Sequence, residues 1–172
     1  PRDYERSPQL GFGIRDIGYY FPVSDWADVK LLADIYFNGT YGLGIASNYA
    51  KKYKFRGNVA LRYSYRITEP SNDYRENVEK SFSIRLTHNQ DTKANPYQNI
   101  GGSINIQSND FESLNYNDAQ SALTNTYSSN FNYSRTFAGK PYSLTAAFNH
   151  SQNTQSHLVT INAPEFNFRL NR

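Results

Sequence analysis

Residues 55–67 read FRGNVALRYSYRI. Phe55, Gly57, Val59, Leu61, Tyr63, Tyr65 and Ile67 occupy one phase of a two-residue repeat, and Arg56, Asn58, Ala60, Arg62, Ser64 and Arg66 occupy the other. Successive side chains of a β-strand point to opposite sides, so this segment reads as a strand with one apolar and one cationic face. Such a strand needs hydrocarbon or a protein core on one side and water on the other.

The rhythm recurs in both directions from this stretch. Upstream, Val29, Leu31, Ala33, Ile35 and Phe37 stand opposite Asp28, Lys30, Asp34 and Tyr36, and Tyr41, Leu43, Ile45 and Tyr49 oppose Gly42, Gly44, Ala46 and Asn48. Downstream, Phe82, Ile84 and Leu86 alternate with Ser81, Ser83, Arg85 and Thr87. Further on, Phe131 and Tyr133 alternate with Asn130, Asn132 and Ser134, and Leu144, Ala146 and Phe148 with Ser143, Thr145, Ala147 and Asn149. Aromatic-rich strands of about 9–11 residues with this alternation are the signature of a transmembrane β-barrel wall. The expected fold is therefore all-β, an antiparallel up-and-down meander of about 8–9 strands forming part of an outer-membrane barrel.

Composition agrees with a wall better than with a soluble core. Of 172 residues only 38% are apolar, yet 16% are aromatic, with 15 Tyr and 11 Phe against one Trp. A soluble sandwich normally fills its inner faces with Val, Ile and Leu. Tyr suits a membrane surface because its ring is apolar while its hydroxyl reaches the headgroups, and the Asn, Ser and Thr opposite suit a wet interior. Negative mean hydropathy is compatible with this, since half of every barrel strand is polar. No stretch approaches 18 consecutive apolar residues, so any span must be made of strands. The net charge of +3 is spread along the chain rather than clustered, which argues against nucleic-acid binding. Zero Cys removes disulfides and thiolate chemistry. The start at Pro1, the lack of Met and a strand-like pattern running to Arg172 point to a fragment, residues 1–172, of a single β-barrel domain.

Turn signals divide the chain. A first strand over Gly11–Phe21 slips phase near Arg15 and Asp16, which predicts a bulge. Pro22 to Trp26 is a turn, and Asn38-Gly39 is a strong hairpin signal. Polar loops are expected at 68–80, 89–98 and 108–124. A tight turn at Ala138-Gly139-Lys140-Pro141 precedes a strand over 142–152, and a last strand from His157 changes phase across Pro164.

Several of these segments, in order, resemble the LPS-assembly outer-membrane protein family LptD, in its divergent form. The likeness rests on Leu10-Gly11-Phe12-Gly13, Arg15 through Phe21, Asp34-Ile35-Tyr36 with Asn38-Gly39, Lys80 through Arg85, Thr87 through Pro96, Gly139-Lys140-Pro141 and Asn149 through Thr154. The resemblance implies outer-membrane localisation and a large closed barrel that passes lipopolysaccharide to the outer leaflet. It further implies a lumenal lipoprotein plug and a periplasmic bridge protein as partners, no enzyme activity and no cofactor. The family's periplasmic domain has no counterpart here, and about nine strands are too few to close so large a barrel.

Within this frame, Lys30, Asp34, Arg56, Asn58, Arg62, Arg66 and Arg85 are the candidate lumen-facing contacts for lipopolysaccharide or plug. Guanidinium and ammonium groups hold phosphates and carboxylates by charge-assisted hydrogen bonds. The competing reading is a solvated face whose arginines pair with neighbouring acids. Val29, Leu31, Ile35, Val59, Leu61, Tyr63, Tyr65, Phe82, Ile84, Leu86, Phe131, Tyr133, Leu144 and Phe148 are expected to face lipid. Tyr41, Tyr49, Tyr53, Tyr63 and Tyr65 read as an aromatic girdle. Arg135 shares the apolar phase and is tolerable there only near a strand end, where it can snorkel. His88, His150 and His157 lack metal-ligand spacing, and no nucleophile, cofactor loop or oxyanion donor accompanies the carboxylates. Two other readings remain: a self-contained small barrel acting as an adhesin or porin, and a soluble β-sandwich binding module.

Overall fold

A computed structural model describes residues 3–7, 10–68, 77–108, 111 and 126–170. Ten strands follow one another: β1 (Asp3–Ser7), β2 (Gly11–Ser24), β3 (Ala27–Tyr36), β4 (Tyr41–Lys51), β5 (Phe55–Thr68), β6 (Asn77–Gln90), β7 (Gln98–Gln107), β8 (Thr126–Thr136), β9 (Tyr142–Asn153) and β10 (Leu158–Leu170). All pairings are antiparallel between chain neighbours, so the sheet order is the sequence order, with β1 and β10 as its edges. The expected all-β meander is what forms, with ten strands instead of about nine. The added strand, β1, has Tyr4 as its one apolar residue and so carries no alternation to read. β6 begins at Asn77, earlier than the expected Ser81, because Val78 continues the phase of Phe82 while Lys80 interrupts it. The interiors of the two long loops, 69–76 and most of 108–125, lie outside the described residues.

Both expected bulges are present. The β2–β3 register shifts between Ile14 and Ile17, where Asp16 takes a φ of 51°, and the β9–β10 register shifts between Asn162 and Glu165, around Pro164. The Asn38-Gly39 turn is fastened sideways to β5: the Asn38 amide donates to the Ile67 carbonyl at 3.1 Å and the Ile67 N–H donates to Thr40 Oγ1 at 2.9 Å.

The sheet is a single layer. Leu10, Tyr36, Phe111 and Tyr127 are the buried apolar side chains among the described residues, whereas Ile35, Leu43 and Phe168 are more than half exposed. Among the described residues no second sheet is stacked on it at the ~10 Å spacing of a sandwich. No helix among the described residues is long and apolar enough to cross a membrane, which says nothing of strands.

The meander also sorts the connections. Turns 25–26, 52–54, 91–97 and 137–141 share one end of the sheet; connections 8–10, 37–40, 69–76, 108–125 and 154–157 share the other. The two longest lie together at the second end, so the ends are distinguishable as a short-turn rim and a long-loop rim.

One seam departs from the regular ladder. Backbone pairing of β7 with β8 stops at Ser103↔Asn130. Beyond it, side chains replace the missing strand partners: Ser129 Oγ accepts from the Asn105 N–H at 2.9 Å, and Gln152 Nε2 donates to the Gln107 carbonyl at 2.7 Å. Ser129 and Gln152 are 2% and 5% exposed, and Ser129 Oγ lies 3.2 Å from Nδ1 of buried His150. Peptide groups buried without a partner cost about 1–3 kcal/mol. Gln152 Oε1 also accepts from the Gln107 N–H at 3.5 Å, so Gln152→Ala is expected to destabilise the fold by that amount and to speed hydrogen exchange at the Gln107 amide selectively. Unchanged exchange at Gln107 in the variant would show that the clasp is not what protects it.

Candidate functional site

The two faces of the sheet differ in chemistry from strand to strand. On the first face, cross-strand register aligns Leu31, Ile45, Leu61, Ile84 and Ile106 in one row over five strands. A parallel row holds Val29, Ser47, Val59, Leu86 and Ile104, and another holds Ala33, Leu43, Tyr63 and Phe82. Ile35, Tyr41 and Tyr65 follow toward the long-loop rim. Through β7 the same face continues to Phe131 paired with Phe148, Tyr133 with Ala146, and Leu144 with Phe168. All of the residues expected to face lipid therefore share one continuous face.

Aromatic rings bracket its aliphatic middle. Toward the short-turn rim, Phe55 meets Trp26 edge-on at 5.8 Å and Tyr49 at 6.0 Å, and Tyr142 packs on Phe137 at 4.8 Å. Tyr49 also hydrogen-bonds Nδ1 of His88 at 2.9 Å. Toward the long-loop rim, Tyr41 stacks on Tyr65 at 5.1 Å and Phe12 on Phe37 at 5.6 Å. Tyr49 and Tyr53 thus belong to one ring and Tyr41 and Tyr65 to the other, where the sequence alone showed a single group. Ten residues separate Phe55 from Tyr65; at ~3.3 Å per residue this is about 33 Å of strand. A barrel tilt of ~40° projects that length to about 25 Å, the height of an outward apolar band. Arg135 lies one residue from the end of β8, its guanidinium 4.9 Å from the Phe137 ring centroid, which matches placement at an interface.

The opposite face carries Lys30, Asp34, Arg56, Asn58, Arg62, Arg66 and Arg85, as the alternation requires, yet these do not form one cluster. Arg62 Nη2 sits 3.3 Å from Asp16 Oδ1 and 3.9 Å from Asp34 Oδ2, and Asp34 Oδ1 accepts from the Asp16 N–H at 2.7 Å. β4 leaves the room for this: a Cβ on Gly42 would come within 3.1 Å of the Asp34 carboxylate, and one on Gly44 within 3.7 Å of Arg62 Nε. For Arg62 the neutralised reading is the one that forms. Asp16 was missed because its bulge takes it out of the two-residue repeat. At these partly exposed positions, a double-mutant cycle on Arg62→Met and Asp34→Asn is expected to give a coupling of about 0.5–1 kcal/mol. Additivity would remove the ion pair from the account.

Lys30 and Arg85 share a row but are separated by Ala46 and Ala60. Arg66 lies opposite Glu79 near the long-loop rim. Arg56 and Asn58 instead line a groove of about 550 Å³ at the short-turn end, together with Tyr20, Trp26, Asp28 and Asn48. Lys30 stands beside it, its ammonium 6.0 Å from the Tyr20 ring. The groove is open and mixed in character: the Tyr20, Trp26 and Tyr49 rings stand among amides, and Asp25 and Asp28 line it with Arg56, which suits a hydroxyl-rich ligand stacked on rings. His88 and His150 are on opposite ends of the sheet, each bonded to its own hydroxyl partner. The Ser129, His150 and Gln152 clasp was not anticipated; its one trace in the sequence is that these polar residues occupy the apolar phase of their strands.

A family model described as LptD protein matches residues 1–172, the whole chain. No curated protein and no solved structure matches it.

Proposed function

The chain belongs to the LptD family, an outer-membrane family that handles lipopolysaccharide and is not a family of enzymes, and from that premise we propose that it forms part of the wall of a transport barrel delivering lipopolysaccharide to the outer leaflet. Residues 1–172 are, on this reading, one continuous stretch of a single barrel domain, with Leu31, Ile45, Leu61 and Ile84 against acyl chains. Arg56, Asn58 and Lys30 face the lumen. The observation that carries the proposal is the largely exposed apolar face that runs across a single-layer sheet from Leu31 to Ile106 and on to Phe131 and Phe148, interrupted at the long-loop end of β8 and β9 by buried Ser129, His150 and Gln152, with a polar opposite face. Both edges of the sheet lack strand partners among the described residues, which favours a larger barrel over a self-contained small one. A lumenal lipoprotein and a periplasmic bridge protein are the proposed protein partners.

Site-specific photo-crosslinking in cells tests the assignment. A photoreactive residue at Arg56 or Asn58 of the full-length protein is expected to capture lipopolysaccharide or the plug, while one at Leu61 captures bulk phospholipid. Capture of lipopolysaccharide from neither Arg56 nor Asn58, with no plug adduct, would remove the groove from the transport path.

A further inference from the structure

The short-turn rim has a charge and ring pattern that the transport reading does not use. Its turns and adjoining strand ends carry Lys51, Lys52, Lys54, Arg56, Lys93, Arg135, Lys140 and Arg169, against Asp25, Asp28 and Asp91.

The cations at the short-turn rim are set on aromatic rings. Lys52 and Lys93, from adjacent turns, lie 5.0 and 5.3 Å from the centroid of the Tyr53 ring, and Lys140 lies 5.7 Å from that of Tyr142. Tyr53 is held in a left-handed conformation, φ 60°, and the Asp91 N–H donates to the Lys54 carbonyl at 2.8 Å, tying the two turns together. Between these turns is a cleft of about 440 Å³ lined by Lys51, Lys52, Tyr53, Phe55 and Asp91, with Arg56 and Asn89 closing it from the lumen side, and between the next pair is one of about 250 Å³ lined by Tyr97, Arg135, Phe137 and Lys140. Each cleft combines cations with rings at the edge of the apolar band. That is the depth of lipid phosphates, where basic side chains are drawn to an anionic surface.

We infer that the short-turn rim is a binding collar for anionic glycerophospholipids, each inter-turn cleft holding one phosphate headgroup. The inference rests on the barrel reading above. Short turns of outer-membrane barrels face the periplasm, so the leaflet in reach is the phospholipid one.

The test uses the full-length protein reconstituted into nanodiscs of phosphatidylcholine mixed with either phosphatidylglycerol or lipid A, with retained lipid counted by native mass spectrometry after detergent stripping. Wild type is expected to retain phosphatidylglycerol in preference to phosphatidylcholine. A Lys52→Ser, Lys54→Ser, Lys93→Ser, Lys140→Ser variant is expected to lose that retention by about fivefold or more, while Lys80→Ser, at the opposite rim, keeps it. Insertion is scored separately by protease protection. Protein that inserts but shows no preference for phosphatidylglycerol, or a quadruple variant that keeps it, overturns the collar alone; preference for lipid A alone does so too and assigns the rim to the other leaflet. Protein that fails to insert overturns the barrel reading and the collar with it.

Discussion

Leu61→Arg is expected to destabilise the barrel by about 2–4 kcal/mol, the cost of a cation at the bilayer midplane. Leu61 is the middle residue of the row Leu31, Ile45, Leu61, Ile84 and Ile106, and lies between the aromatic rings, six residues from Phe55 and four from Tyr65. From there an arginine must stretch past about two rows of apolar side chains to reach water in either direction, further than snorkelling allows without deforming the bilayer. Asn58→Arg, three residues away on the opposite face, is expected to change stability by no more than about 0.5 kcal/mol. Equilibrium unfolding in vesicles measures both. Equal costs for the two variants would mean that the faces are not differently solvated, whatever their composition.

Gly102→Ala is expected to cost about 2–4 kcal/mol by a different route, summing an unfavourable backbone conformation with overpacking. Gly102 has a φ of 151°, and a Cβ there would collide with the Asn130 carbonyl and lie 2.6 Å from the Phe131 Cα. Both neighbours are backbone of β8, which cannot move without breaking the pairs Gly102↔Phe131 and Ser103↔Asn130. These are the last two pairs before the ladder gives way to the Ser129 and Gln152 clasp, so the substitution is expected to widen the seam toward its already weak end. Denaturant midpoints, together with exchange rates at Ser103 and Asn105, distinguish this from uniform destabilisation. Wild-type stability in Gly102→Ala would show that β8 can shift to admit a methyl group.

Strand existence and facing were legible in the sequence wherever the apolar phase is uninterrupted, as from Phe55 to Ile67. With a period of two, one correct strand sets the facing of its neighbours once the turns are short. Legibility ended where the pattern breaks for reasons of tertiary contact. β1 has too few apolar residues to show a phase, and Lys80 hides the start of β6 even though its ammonium lies 6.0 Å from the Tyr65 ring. Asp16 enters the Arg62 site only because a bulge rotates it there. The clasp residues Ser129, His150 and Gln152 looked like interruptions of the apolar phase, and their role depends on β7 parting from β8, which no local signal announces. The candidate site shows the same division: the shared polar face followed from alternation, but which arginine is neutralised depended on the glycines of β4 and on a partner two strands beyond them. Rims were unreadable from loop lengths in order, and became separable once each connection was assigned to an end of the meander.

The central claim is that the apolar face meets acyl chains, and depth-resolved spin-label accessibility along β5 tests it most directly. Labels placed singly at 57 through 65 in the membrane-reconstituted full-length protein are expected to alternate: 59, 61 and 63 accessible to oxygen and shielded from a water-soluble nickel chelate, 58, 60 and 62 the opposite, with oxygen exposure greatest near 61. Odd-numbered positions shielded from both reagents would place a second protein layer over that face, and the wall described here would not exist.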